Sequence, residues 1–343
     1  MNGRERILAA LRGEPTDKVP VMLHNFLMAS AENGVSMAEF RRSASAIAES
    51  FIRAVETYGY DGVVVDVDTA MLAGAVGVPV DLPEDKPARC HRPLLASLEG
   101  VAVLKPPRVG DYFSIRAAVD AVALLKDHFK GEIAVRGNCD QCAFSLAGLM
   151  RSPEAWLVDL IEAPQERVRA LLDYAARATN QFIALMAEAG ADILSNGDSP
   201  AGPDLISPAM YRTFAQPYEA AAAFEAHRTG RPYLLHICGR TDRILPEMAA
   251  TGADGLELDQ RTDMRLARSV LAGRTTFVGN IDPSGVLALG TPALVEAKTA
   301  ELCEVFAETP RFILNAGCAI PAETPPGNLR AMIRAARDFR SSF

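Results

Sequence analysis

His236 and Cys238 stand two residues apart in Tyr233-Leu-Leu-His-Ile-Cys-Gly239, and a third candidate ligand, Cys318, follows in Leu314-Asn-Ala-Gly-Cys-Ala-Ile-Pro321. Side chains alternate between faces in an extended strand, so the imidazole and the first thiol share one face while Leu235 and Ile237 take the other. If Cys318 reaches the same surface from another strand, one nitrogen and two sulfurs can hold a tetrahedral zinc with its fourth position open, as catalytic zinc requires. Taken alone, His-x-Cys is equally compatible with a hydrogen-bonded core histidine and packed thiols, because free cysteine behaves as a small hydrophobe. The positions of these residues in the chain decide between the two.

Eight short apolar or β-branched runs recur, and helical patterns separate most of them. They are residues 19–23, 62–66, 132–138, 191–198, 231–239, 255–260, 275–281 and 312–318. Eight strands alternating with helices predict a (β/α)8 TIM barrel of the α/β class. The helices carry their own punctuation. Val168, Leu171, Leu172 and Ala175 make one apolar face between Pro164 and Gly190, and Leu329, Met332, Ile333 and Ala336 make another after Pro325. Ser207-Pro208 and Thr291-Pro292 read as helix starts, with Pro217 expected to kink the first of these helices. The passage after the second strand, 69–110, holds Pro79, Pro83, Pro87, Pro93, Pro106 and Pro107, too many for one regular helix. It reads as an insertion that covers the pocket or forms a homodimer surface. No repeat or linker divides the chain, so 1–343 is expected to be a single domain.

In such a barrel functional groups gather at the C-terminal ends of the strands. His236 and Cys238 end the fifth run and Cys318 the eighth, so the architecture delivers all three to one mouth. A mixed nitrogen and sulfur set favours zinc over iron or copper. Two thiolates cancel the charge of the ion, and a third sulfur bound at the vacancy keeps enough electron density to attack carbon. Alkyl transfer to sulfur is the chemistry best matched to such a site.

Other candidates lie at the same mouth. Asp68 follows the second strand, Asn138, Asp140 and Gln141 the third, and Asp198 and Ser199 the fourth, while Glu257 and Asp259 belong to the sixth and His24 ends the first. We expect His24, Asn138, Asp140, Gln141, Asp198, Ser199, Glu257 and Asp259 to meet substrate, although caps and turns are the commoner fate of Asp and Ser beyond a strand. Glu257 and Asp259 share a face, so one of them is a candidate for the fourth metal position at rest or for orienting His236. Asp282, before Pro283, reads as a cap. Cys139-Asp-Gln-Cys142 is a rival thiol motif without a second pair, expected to line the pocket.

Composition bounds the rest. A net charge of −8 with no basic run argues against nucleic acid and against an anionic membrane patch. No window approaches eighteen uncharged apolar residues and the N-terminus offers no signal-peptide core, which predicts a soluble cytoplasmic protein. Six cysteines without secretion signals predict thiols rather than a disulfide framework.

With these residues assembled, the chain resembles the uroporphyrinogen decarboxylase superfamily over nearly its whole length. Within it, the chain is similar to the zinc methyltransferases that work with corrinoid proteins and coenzyme M. The resemblance is carried by Leu11-Arg-Gly-Glu-Pro-Thr-Asp-Lys-Val-Pro-Val21, Asp198-Ser-Pro-Ala-Gly202, Gly279-Asn-Ile-Asp-Pro283 and the two metal stretches. It implies a barrel, zinc on His236, Cys238 and Cys318, and a corrinoid (cobalamin) carried on a separate protein. It further implies methyl exchange in one-carbon metabolism between that corrinoid and a small donor or acceptor such as a thiol, in a direction left open. The decarboxylases carry an arginine-rich segment after their first strand, where this chain has His24-Asn-Phe-Leu-Met-Ala29. Asp68 falls where their catalytic aspartate would stand. A metal-independent decarboxylase (carboxy-lyase) with Asp68 as its catalytic group is therefore the alternative expectation.

Overall fold

The structure, a computed structural model, describes residues 1–340. Eight parallel strands form one sheet in chain order: β1 Met22–Leu23, β2 Gly62–Val65, β3 Ala134–Gln141, β4 Ile193–Gly197, β5 Tyr233–Ile237, β6 Gly255–Leu258, β7 Thr276–Ile281 and β8 Phe312–Ala316. β8 returns to the start of the sheet, with Val21 bridging Leu314 in parallel and the Leu314 N–H donating to the Pro20 carbonyl at 2.8 Å. The sheet thus closes as the TIM barrel expected from the alternation of strands and helices. Every strand begins within three residues of the predicted run.

Alternation along these strands sorts the interior into layers. Met22, Val64, Ala134, Ile193, Leu234, Val278 and Ile313 pack together with Ile7, Ala10 and Leu11 of the first helix, Gly3–Arg12. That amphipathic helix closes the N-terminal end of the barrel, and its start is fixed by a reciprocal cap between Asn2 and Glu5. Two residues beyond six of these, and beyond Gly255 on β6, the same inward face is polar: His24, Asp66, Arg136, Ser195, His236, Asn315 and Glu257. The apolar layer supplies burial, and the polar layer above it is the floor of the mouth.

The outer helices bury the stripes read from the sequence. Gln165–Glu188 covers Val168, Leu171, Leu172 and Ala175, and Pro326–Asp338 covers Leu329, Met332, Ile333 and Ala336. Thr291 and Ser207 are side-chain caps, as is Asp282, whose carboxylate accepts from the Ser284 and Gly285 N–H groups. Pro217 does not kink a continuous helix. A π turn at Tyr211–Ala215 takes the bend upstream, and Pro217 falls in the first turn of Gln216–Arg228, where its missing N–H costs nothing. No described helix is long and apolar enough to cross a membrane.

The proline-rich passage contains a short helix at Met71–Ala75, a two-residue antiparallel pairing of Val80–Asp81 with Arg89–Cys90, and 3-10 turns at Leu98–Val103 and Val109–Asp111. It is fastened to the loop after β2 by Arg41. Its guanidinium donates to Asp68 at 2.6 Å, to the Pro83 carbonyl at 2.6 Å and to the Lys86 carbonyl.

Candidate metal centre and active site

β5 ends by placing His236 and Cys238 on one face, and Cys318 arrives two residues beyond β8. The His236, Cys238 and Cys318 ligand atoms lie within 4.8 Å of one another. His236 Nε2 is 3.0 Å from Cys238 Sγ, and the two sulfurs are 3.6 Å apart. Ordinary zinc bond lengths in a tetrahedron set S···S near about 3.8 Å and S···N near about 3.6 Å. The side chains therefore need only small adjustments to take up an ion, and the donor set fits zinc.

Each ligand is aimed by neighbours. His236 Nδ1 donates to the Glu257 main-chain carbonyl at 2.9 Å, so when the ring is neutral its proton sits there and Nε2 has the lone pair a metal needs. The Cys238 N–H donates to Ser199 Oγ at 3.1 Å, and the Gly239 N–H to Asp259 Oδ2 at 2.8 Å. Gly239 has φ +94°, a conformation that lets the chain turn away immediately after Cys238. Gly317 is needed for a different reason. A Cβ there would stand 2.6 Å from the Gln260 nitrogen, so only glycine lets the Cys318 loop approach the β6 loop this closely.

Charge follows from this geometry. Without an ion, the hydrogen bond from the Cys318 thiol, against the pull of burial and helped by the charge of His236, brings Cys238 down to about 3. The same contact and burial push Cys318 up, so the pair holds one proton between two sulfurs. Burial works against charge on His236, but Cys238 and Glu257 together outweigh it and raise the imidazole to about 9. A cation at this point would replace that proton as the partner of both sulfurs, which is how thiolate ligands couple metal binding to proton release.

The floor beneath the triad is one connected network. Arg136, 2% exposed, donates from Nε to Ser195 Oγ at 2.7 Å and from Nη2 to Glu257 Oε2. Ser195 Oγ donates to Asn138 Oδ1 at 3.1 Å, and Asn315 Nδ2 donates to Glu257 Oε1 at 2.8 Å. His24 Nε2 is 2.8 Å from Asp66 Oδ2. Burial pulls Glu257 upward, yet Arg136, His236 and His24 together bring it down to about 2.

Several residues expected to meet substrate have partners within the protein. Glu257 does not orient His236 through its carboxylate, which Arg136 and Asn315 occupy; its carbonyl oxygen does so. Asp259 accepts from the Gly239 and Arg261 N–H groups, holding the Cys238 loop. Ser199 likewise serves Cys238. Asp140 is buried and accepts from the Leu72 N–H at 2.8 Å, while Asp198, fully buried, accepts from Ser145. Both are internal acceptors with burial raising their affinity for a proton. Gln141 is partly exposed and donates to the Thr69 carbonyl. Asn138 and His24 do face the floor. Cys139 and Cys142 do not line a pocket: both are fully buried in the core, and Cys142 Sγ packs 3.4 Å from the Tyr233 hydroxyl. Asp68 is 4% exposed and accepts from Arg41, the Thr69 N–H and the Ala88 N–H.

Arg41, Arg136, Ser195 and Asn315 were not singled out from the sequence. For the last three the signal was present, since each follows an inward apolar residue by two positions on its strand. Arg41 had no such signal, because its partners come from a segment without regular structure.

Methylcobamide:CoM methyltransferase MtbA of Methanosarcina mazei is 29% identical, covering 98% of each chain. Methylcobamide:CoM methyltransferase MtaA of Methanosarcina barkeri is 28% identical, covering 98% of this chain and 97% of that one. Uroporphyrinogen decarboxylase of Parasynechococcus marenigrum is 27% identical, over 96% and 95%. A solved methyltransferase from Methanosarcina mazei superposes with a TM-score of 0.89 at 24% identity, covering 98% of both chains, which shows a shared fold. The sequence profile of uroporphyrinogen decarboxylase (URO-D) matches residues 2–339, and the chain belongs to that family.

Proposed function

We propose that this protein is a zinc-dependent methyltransferase that moves a methyl group between a corrinoid carried on a separate protein and a small molecule such as a thiol. The observation that carries the reading is the convergence of His236, Cys238 and Cys318 at the barrel mouth. Relatives named methylcobamide:CoM methyltransferases support it across the whole chain.

His236, Cys238 and Cys318 would hold the ion, which supplies Lewis acidity and charge for a sulfur nucleophile at the remaining position. The chain supplies the rest. Glu257 and Asp259 keep the imidazole and the Cys238 loop in place, and the buried floor of Arg136, Asn138, Ser195, Asn315 and His24 receives the polar part of the small substrate. Residues 1–343 act as one domain. The passage 69–110 would cover the mouth or form a homodimer surface, fastened through Arg41. The working compartment is proposed to be the cytoplasm.

The decarboxylase alternative is weakened by Asp68, which is spent on Arg41 and two loop amides and is raised by burial although Arg41 opposes it. Removal of the metal separates the two readings. Wild-type protein stripped with a chelator should lose transfer from methylcobalamin to thiols by about 10³, on the order of 4 kcal/mol of barrier, and regain it with added zinc. Full activity in the stripped protein would refute the zinc mechanism.

A further inference from the structure

The floor of the mouth contains two buried nitrogens without a hydrogen-bond partner among the described residues, Arg136 Nη1 and His24 Nδ1. Buried polar atoms are paired as a rule, so an orphan marks a place where a partner is missing. Arginine can only donate, whereas an imidazole nitrogen can also accept. Asp66 decides which nitrogen of His24 does so. Its Oδ2 accepts from Nε2 at 2.8 Å while its Oδ1 accepts from the Val67 N–H, so the carboxylate is fixed and the ring proton stays on Nε2. Nδ1 is then the lone-pair nitrogen.

The ring is placed as firmly as its tautomer. The His24 N–H donates to Asn315 Oδ1 at 3.1 Å, and its carbonyl accepts from the Ile320 N–H at 2.8 Å, which ties it to the loop carrying Cys318. Facing the ring are Asp66 just after β2, Glu257 Oε1 from β6 at 3.9 Å and the Phe26 ring at 5.6 Å, with Arg136 of β3 beyond Glu257. Glu257 adjoins His236 on its other side through the main chain. A buried lone pair is thus held in the floor, with Glu257 between it and His236 and a carboxylate holding the far side of the ring. That is how a general base is oriented.

The geometry points to His24 as the base that takes the thiol proton of the methyl acceptor, a role that rests on the methyltransferase reading above. The S–H proton passes to His24 Nδ1. The sulfur lone pair attacks the methyl carbon of a methylated corrinoid, an S–C bond forms, and the carbon–cobalt bond breaks with its electron pair left on cobalt. The preferred acceptors are therefore thiols that remain protonated in solution.

The test is transfer from methylcobalamin to ethanethiol and to trifluoroethanethiol, which are similar in size and differ widely in acidity. His24→Asn should slow ethanethiol by about 10²–10⁴, the usual contribution of a general base, and slow trifluoroethanethiol far less. Asp66→Asn, which would donate to Nε2 and reverse the tautomer, should give the same pattern, and both variants should retain zinc. Calorimetric titration with ethanethiol in two buffers of different ionisation heat gives a readout independent of turnover. Wild type should release fewer protons to buffer per thiol bound than His24→Asn. An equal loss with both thiols, or no loss, would overturn the proposal while leaving methyl transfer intact. Wild-type protein that methylates neither thiol would bring down the reading on which it rests.

Discussion

Cys318→Ala should abolish tight zinc binding and lower thiol methylation by about 10³, while the barrel still folds. Two of the three ligands, His236 and Cys238, sit on one strand and cannot enclose an ion alone. Cys318 comes from the far side of the sheet closure, with its sulfur 3.6 Å from that of Cys238. Loss of a supporting hydrogen bond around a metal site already costs 10- to 100-fold in affinity, so loss of a ligand should cost at least about 100-fold. It also leaves one thiolate against a dipositive ion, where two would cancel its charge. A sulfur bound there would then be less nucleophilic, and several kcal/mol of barrier would return, each 1.36 kcal/mol being a factor of ten. Cys303→Ala is the matched control, because that thiol is buried in the helix Pro292–Val305 and packs in the core. It should alter stability slightly and keep full zinc content. Retention of zinc by Cys318→Ala would remove that residue from the site.

Arg136→Met should be the most destabilising single change in the floor. The guanidinium is the charge partner of Glu257, itself 1% exposed, and methionine would leave that carboxylate buried against Asn315 and His24 alone. Breaking one half of a buried ion pair costs about 3–5 kcal/mol, expected here as a fall in melting temperature of about 4–7 °C. Adding Glu257→Gln should recover more than about 1 kcal/mol, since an amide tolerates the site without its counter-charge. The pH dependence has a definite sign. Glu257 lies at about 2 in the fold against an ordinary value of 4.5, so its contribution is complete above 4.5 and is lost as pH falls toward 2. The gap in stability between wild type and Arg136→Met should therefore be widest near neutrality and narrow in acid. Thermal unfolding at pH 7 and pH 3 measures both effects, and equal stability of the two proteins at pH 7 would contradict them.

Much of this was legible in the chain because strands impose a period of two. That period put His236 and Cys238 on one face, and the position of each at the end of its run carried Cys318 to the same mouth. It also held the polar floor, two positions beyond the apolar plug on most strands, although Arg136 and Asn315 look like ordinary residues inside apolar runs until the layers are aligned. The carboxylates were harder to read. Asp140, Asp198 and Asp259 stand where loop acids of a barrel commonly meet substrate, and only the amides around them reveal that they hold the backbone. Cys139 and Cys142 illustrate the same limit, since a motif spacing gives no account of depth. Arg41 was unreadable for another reason: a side chain that donates to the main chain of a distant irregular segment leaves no periodic trace.

The central claim is one nitrogen and two sulfurs around one zinc, and X-ray absorption at the zinc edge of the wild-type protein addresses it directly. The account predicts one ion per chain with two sulfur neighbours near about 2.3 Å and a nitrogen near about 2.0–2.1 Å. A tightly bound zinc surrounded only by oxygen and nitrogen, or a protein that binds none, would contradict it.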